Sequence, residues 1–70
     1  MTVEKGIYVH YKGNRYEVIC MAAHSETLED MVVYKALYGD GKVWVRPCRM
    51  WNETVTLKDG TKVLRFTKEK

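Results

Sequence analysis

The sequence lacks a long apolar segment and a dense set of cysteines. Its longest apolar stretch, around Val18 to Ala23, is far shorter than the ~20 residues of a membrane-spanning helix. The N-terminal residues Met1 to Gly6 contain neither the basic nor the apolar region of a signal peptide. The two cysteines, Cys20 and Cys48, lack the close spacing of a disulfide framework. We therefore expect a cytoplasmic protein with reduced thiols and no transmembrane segment.

The chain carries little net charge, and its sequence shows no linkers or internal repeats. Its 12 Lys and Arg against 9 Asp and Glu give a net charge of +3, too small by itself to indicate a nucleic-acid partner. We expect one domain over residues 1–70, with an ordered core of about 6–66 and frayed ends at 1–5 and 67–70. Such a small domain buries roughly 60% of its unfolded surface, so its ligand site should be shallow.

Apolar and polar residues alternate in short runs that are separated by glycine-bearing turns. This pattern predicts three β-hairpins. Their strands are Ile7–Tyr11 with Arg15–Ala23, Met31–Tyr38 with Val43–Arg46, and Val55–Leu57 with Lys62–Phe66. The polar segments His24–Asp30 and Arg49–Glu53 connect the hairpins, and each has room for one helical turn.

The hairpins predict an all-β fold. We expect a small antiparallel SH3-like barrel or a strongly curved sheet of about five to six strands, with at most one short helical turn. A flat sheet of this size would leave its edge strands unpaired and prone to aggregation. A closed barrel hides both edges, so we favour it over the open, curved sheet.

Four blocks of the sequence occur together in an order that resembles one bacterial family. The blocks are Gly6–Gly13, His24–Glu29, Val33–Gly39 and Trp44–Pro47. They resemble the domain-of-unknown-function family 1653, over nearly the whole chain from Gly6 to Phe66. The family's usual pattern has phenylalanine at the position of Trp51, which keeps a large aromatic ring there. The resemblance implies a small, soluble bacterial protein and supplies no catalytic residues.

Residues that could bind a metal or act as nucleophiles are scattered along the chain. His10, Cys20, His24 and Cys48 lack the close ligand pair that is typical of structural zinc sites. Neither Ser25 nor Cys48 lies in a nucleophile elbow, and no glycine-rich phosphate loop is present. We therefore predict no metal, no cofactor and no enzymatic activity.

The polar loop from His24 to Glu29 has two interpretations. In the first, Ser25 or Thr27 accepts backbone N–H groups and the loop is a local cap. In the second, Glu26 or Glu29 pairs with Arg46 and His24 completes the edge of a ligand site. Both interpretations remain open at the level of sequence.

Alternation places Trp44 and Arg46 on one face of their strand and Val43 and Val45 on the other. If the valines are buried, Trp44 lies exposed beside Arg46, where the pair could stack a planar ligand. The alternative is that Trp44 or Trp51 plugs an open end of the barrel. We predict a shallow polar and aromatic recess, whose ligand-binding residues are His10, His24, Glu26, Trp44 and Arg46.

Two functions follow from this recess. The first is a non-catalytic binding module for a protein, peptide or small ligand. The alternative is an RNA or single-stranded DNA binding module, in which cations contact phosphates and exposed aromatics stack on bases. Its candidate cations are Lys5, Lys12, Arg15, Lys42, Arg46, Arg49 and Arg65. Acidic residues interrupt this basic set, so nucleic acid ranks second. We expect no membrane partner, and the sequence leaves the oligomeric state open.

Overall fold

The structure, a computed structural model, describes residues 2–69. Its elements are β1 (Gly6–His10), β2 (Arg15–Ala23), β3 (Asp30–Ala36), β4 (Val43–Pro47), α1 (Cys48–Trp51), β5 (Thr54–Thr56), β6 (Lys62–Leu64) and β7 (Phe66–Lys68). Five strands form one antiparallel sheet in the order β4-β3-β2-β1-β7, and β5 pairs with β6 in a separate hairpin. The predicted all-β class with one short helical turn is confirmed.

The helix content of residues 2–69 is the four-residue α1. No helix in this part of the chain is long and apolar enough to span a bilayer. The ends expected to fray, residues 1–5 and 67–70, include Met1 and Lys70, which lie outside the described residues. Within them, Val3 is buried and Lys68 pairs with Tyr8 in the sheet.

The first two predicted hairpins are confirmed as β1–β2 and β3–β4. Gly13 closes the first turn with φ 104°, and its N–H donates to the His10 carbonyl at 2.7 Å. A residue with a Cβ would be strained at this φ, so glycine fits the turn. The third hairpin is shorter than predicted, because the strand after the turn ends at Leu64. Phe66 instead begins β7 and pairs with His10 of β1.

A β-bulge interrupts β2 between Val18 and Cys20. Before the bulge, Val18 lies opposite Tyr34, and after it Met21 lies opposite Val32. Strict alternation from Val18 would turn Cys20 toward the core, but the extra residue reverses the alternation and Met21 packs there instead. A bulge also bends its strand and increases the local twist.

The five-stranded sheet is strongly curved. Four strand spacings of ~4.8 Å would separate the edge strands of a flat sheet by roughly 19 Å. Here, the guanidinium carbon of Arg46 on β4 lies 5.7 Å from the ring centre of Phe66 on β7. The edge strands thus approach each other through side chains, but no ladder joins them among the described residues. The fold is therefore the open, curved sheet and not the closed barrel that we favoured.

Aromatic rings fill the inside of this curve. Trp51, only 1% exposed, stacks on Phe66 with ring centres 3.8 Å apart and an interplanar angle of 2°. The rings of Tyr34 and Tyr8 meet Trp51 edge-on at 5.0 and 5.4 Å. The single turn of α1 packs on β3 and β4 and carries Trp51 into the concave side. Trp51 is therefore a central core residue of the curved sheet and not the plug at an open barrel end that one interpretation proposed.

We expect the Trp51→Ala substitution to lower the free energy of unfolding by about 3–5 kcal/mol, because it removes a fully buried ring and leaves a cavity. Urea denaturation followed by far-UV circular dichroism measures this loss. Trp44→Ala is the matched control, since Trp44 is 40% exposed and should cost less. Equal losses in the two variants would contradict the central position of Trp51.

Candidate functional site

The side chains of β4 are oriented by its register with β3. Trp44 lies opposite Tyr34, and Arg46 lies opposite Val32. Directly opposed residues of an antiparallel pair project to the same face, and both Tyr34 and Val32 are buried. Trp44 and Arg46 are therefore on the concave face.

The two valines of β4 point the other way, to the outer face of the sheet. Val43 is 55% exposed and Val45 is 59% exposed. The condition under which Trp44 was to be exposed, burial of these valines, is therefore not met. Since no second layer covers the outer face of β4 among the described residues, apolar character alone did not show which face is the core.

Trp44 lies at the open end of the aromatic interior. Its ring centre is 6.0 Å from that of Tyr34 and 6.5 Å from that of Tyr16. Tyr16 also contacts Tyr38, whose hydroxyl lies 2.9 Å from the Tyr16 hydroxyl. Trp44 and Tyr38 remain 40% and 44% exposed. The interior is thus accessible at this end through two aromatic side chains.

Tyr16 contacts more of the aromatic side chains at this end than any other described residue there. Its ring makes edge contacts with His10 at 6.4 Å, with Phe66 at 5.7 Å and with Tyr38, and a tilted contact with Trp44. Burial, followed by the hydrogen bond with Tyr38, raises the pKa of Tyr16 to about 12. We call the contiguous set His10, Tyr16, Tyr38, Trp44, Arg46 and Phe66 the rim cluster.

Positive charges surround His10 within the rim cluster. Burial lowers the pKa of His10, and Arg65, Lys12 and Arg46 lower it further by charge repulsion. The His10 Nδ1 accepts the backbone N–H of Lys12 at 3.2 Å. This hydrogen bond fits the neutral imidazole, in which one ring nitrogen is an acceptor.

The two arginines beside His10 have no acidic partner among residues 2–69. The three ion pairs described there are Arg15–Glu69, Arg49–Glu29 and Lys68–Glu4. The Nε atoms of Arg46 and Arg65 are buried and make no hydrogen bond with the described residues. Guanidinium groups are therefore held at the rim without a carboxylate to neutralise them.

The loop between β2 and β3 is stabilised by its own contacts. The backbone N–H groups of Glu26 and Thr27 donate to His24 Nδ1 at 3.1 and 3.3 Å. The Glu29 N–H donates to Thr27 Oγ1 at 3.2 Å, and the His24 N–H donates to the Glu29 carbonyl at 2.8 Å. Thr27 thus accepts a backbone N–H group, as the first interpretation of this segment proposed, and the His24 imidazole, which that interpretation did not name, accepts two more.

The expected ion pair between this loop and Arg46 is wrong. Glu29 instead binds Arg49, with Oε2 2.7 Å from Nε, whereas the Arg46 guanidinium lies near Phe66. Arg49 lies in α1, which follows β4, whereas Arg46 lies in β4 and faces the concave side. The structure therefore brings His10, Trp44 and Arg46 into one cluster, but it shows no contact from His24 or Glu26 to that cluster.

Sequence reasoning missed Tyr16, Tyr38 and Phe66 as members of the site, and it named Arg65 only as a phosphate contact. Tyr16 lies two residues before the apolar Val18, so both side chains are on the same face of the strand, which signals an inward ring. The sequence around Phe66 gave no such signal, because Phe66 begins β7 and pairs with β1 instead of continuing the third hairpin.

A small pocket of about 140 Å³ lies at the other end of β3, lined by Glu29, Asp30, Cys48 and Arg49. Cys48 is buried there, and burial raises the pKa of its thiol. A neutral thiol is a poor nucleophile. Residues 2–69 contain no group of three or more His, Cys, Asp and Glu side chains that could hold a metal ion.

Comparison with known proteins identifies a family. The family described as "Protein of unknown function (DUF1653)" matches residues 6–68. The crystal structure of a DUF1653 protein from Bordetella bronchiseptica is 38% identical in sequence, with a TM-score of 0.86. The match covers 96% of this chain and 87% of that one. Among curated proteins, none matches. The chain belongs to the DUF1653 family.

Proposed function

We propose that the protein is a non-catalytic binding module that recognises a small ligand, or a side chain of a peptide or protein, through the rim cluster. The observation that carries the proposal is the exposure of Trp44 and Tyr38 at the open end of a sheet whose other core rings are buried. Aromatic surface beside a few placed polar groups is typical of ligand sites.

The rim cluster offers two kinds of contact. Trp44 presents an indole ring on which a planar group can stack. Arg46 lies over Phe66 in a cation–π arrangement, which fixes the guanidinium while leaving its hydrogen-bond donors without a described partner. A ligand that combines a planar apolar part with a hydrogen-bond acceptor suits both contacts.

The chemistry of the remaining residues supports a non-catalytic role. The buried Cys48 thiol has a raised pKa, and the His24 Nδ1 is occupied by backbone N–H groups. Neither group is poised as a nucleophile or general base, because both roles need an accessible, unprotonated atom.

The planar anion 1-anilinonaphthalene-8-sulfonate is a probe for this site. We expect it to bind the folded protein at one site, and we expect Trp44→Ala to weaken binding by roughly tenfold, the effect of losing one stacking partner worth about 1–3 kcal/mol. Probe fluorescence measures the affinity. In a Trp51→Phe background, Trp44 is the sole tryptophan, so quenching of its emission reports binding beside it.

His24→Ala is the control for this experiment. It removes two loop hydrogen bonds and should cost about 1 kcal/mol of stability, while leaving probe affinity unchanged. Because this probe also binds partly unfolded states, near-UV circular dichroism must show that each variant keeps its tertiary packing. Unchanged binding in Trp44→Ala would remove the rim cluster as the site.

RNA or single-stranded DNA is the second candidate ligand. The observation that favours it is the presence of Lys12, Arg46 and Arg65 around His10 of the rim cluster, which also includes the exposed rings of Trp44 and Tyr38. None of these three cations is in the ion pairs described within residues 2–69. Against it, two of the proposed phosphate contacts, Arg15 and Arg49, are already paired with Glu69 and Glu29. Nucleic acid therefore stays second.

A labelled oligouridine tests this alternative. If it binds, affinity should fall steeply with salt, and Arg46→Ala should reduce the slope of log affinity against log salt by about 0.7 to 1. Fluorescence anisotropy over a salt series measures the slope. A titration without binding at low salt, where electrostatic attraction is strongest, would eliminate the nucleic-acid function.

We also propose that the protein is bacterial and acts in the cytoplasm. The similar structure comes from a bacterium, and both Cys20 and Cys48 are free thiols, as is usual in a reducing compartment.

A further inference from the structure

Several basic side chains lie around His10 in the rim cluster. His10 lies on β1, Arg46 on β4, and Arg65 in the bend just before β7, so three separate parts of the chain bring basic groups to one place. Lys12 adds a fourth from the β1–β2 turn. Like charges in proximity repel, and the residues that perturb His10 include no carboxylate.

Phe66 is the shared surface of this group. The His10 ring contacts it edge-on with ring centres 5.0 Å apart, and the Arg46 guanidinium carbon lies 5.7 Å from the same ring centre. Arg65 precedes Phe66 in the chain, and its backbone binds Tyr11 and Glu53 on either side. The ring contacts place His10 and Arg46 together on Phe66, and the backbone hydrogen bonds hold the main chain of Arg65 next to that ring.

We propose that His10, Arg46 and Arg65 form a subsite that binds the phosphate group of the ligand. The inference rests on the proposed function, since it assigns the polar half of the same site. Two guanidinium groups match the geometry of phosphate oxygens, and a bound anion would offset the charges of the two arginines and favour the charged form of His10. Trp44 and Tyr38 would then receive the part of the ligand attached to the phosphate.

Nuclear magnetic resonance titration of the His10 imidazole tests the subsite directly. In chloride, the pKa of His10 should lie below its ordinary value, as burial and the neighbouring cations require. At saturating inorganic phosphate it should rise, because the bound anion favours the charged imidazolium. No change in this pKa between chloride and phosphate would overturn the proposal.

Substitutions test whether the two arginines bind the phosphate. Arg46→Gln and Arg65→Gln should each weaken phosphate binding by at least about tenfold, the loss expected when a charge-assisted hydrogen bond is removed. Lys58→Gln is the matched control, because it removes the same charge from the distant β5–β6 turn and should leave the affinity unchanged. An equal effect of all three substitutions would mean that net charge alone attracts phosphate, and would also overturn the proposal.

Phenyl phosphate separates this inference from the function on which it rests. If both are right, phenyl phosphate binds more tightly than inorganic phosphate, and Trp44→Ala abolishes the difference. If the two bind equally but both need Arg46 and Arg65, the subsite stands for free phosphate and the aromatic part of the proposed function fails. If Trp44-dependent dye binding persists while neither phosphate binds, the proposed function stands and the subsite is overturned.

Discussion

The stack of Trp51 on Phe66 is the contact on which the rest of the fold depends. It joins α1, which follows one edge strand of the sheet, to β7, which is the other edge strand. A small domain has few side chains with which to fill its interior. Two large rings at 3.8 Å bring the edges of the sheet together without a hydrogen-bonded ladder. The curved, open architecture follows from that packing.

Curvature around this stack also creates the candidate site. Because the edges approach, Arg46 of β4 reaches the ring of Phe66, which in turn contacts His10 of β1. Tyr16 then connects His10 to Trp44 and Tyr38 at the open end. The rim cluster is thus the end of the aromatic core at which the rings of Trp44 and Tyr38 remain exposed to solvent.

The sequence was sufficient to predict the class of fold and most of its strands, because alternation and glycine turns are local signals. It was insufficient for three features that depend on distant contacts. The bulge after Val18 reverses the faces of β2. Phe66 leaves its hairpin to pair with His10. Val43 and Val45 look like core residues but are exposed on the outer face, which no other element of residues 2–69 covers. For the same reason, the sequence could suggest His10, Trp44 and Arg46 as candidates, but it could not show that they contact Tyr16 and Phe66.

The two arginines that follow Val45, Arg46 and Arg49, have different surroundings. Arg49 is exposed and binds Glu29, an arrangement worth no more than about 1 kcal/mol, which serves the loop. Arg46 has its Nε buried without a partner and lies near two further basic groups. An unpaired, partly buried charge destabilises a fold, and an apolar side chain would pack against Phe66 at lower cost. A charge held where packing alone would disfavour it supports the proposal that this end of the sheet binds a ligand.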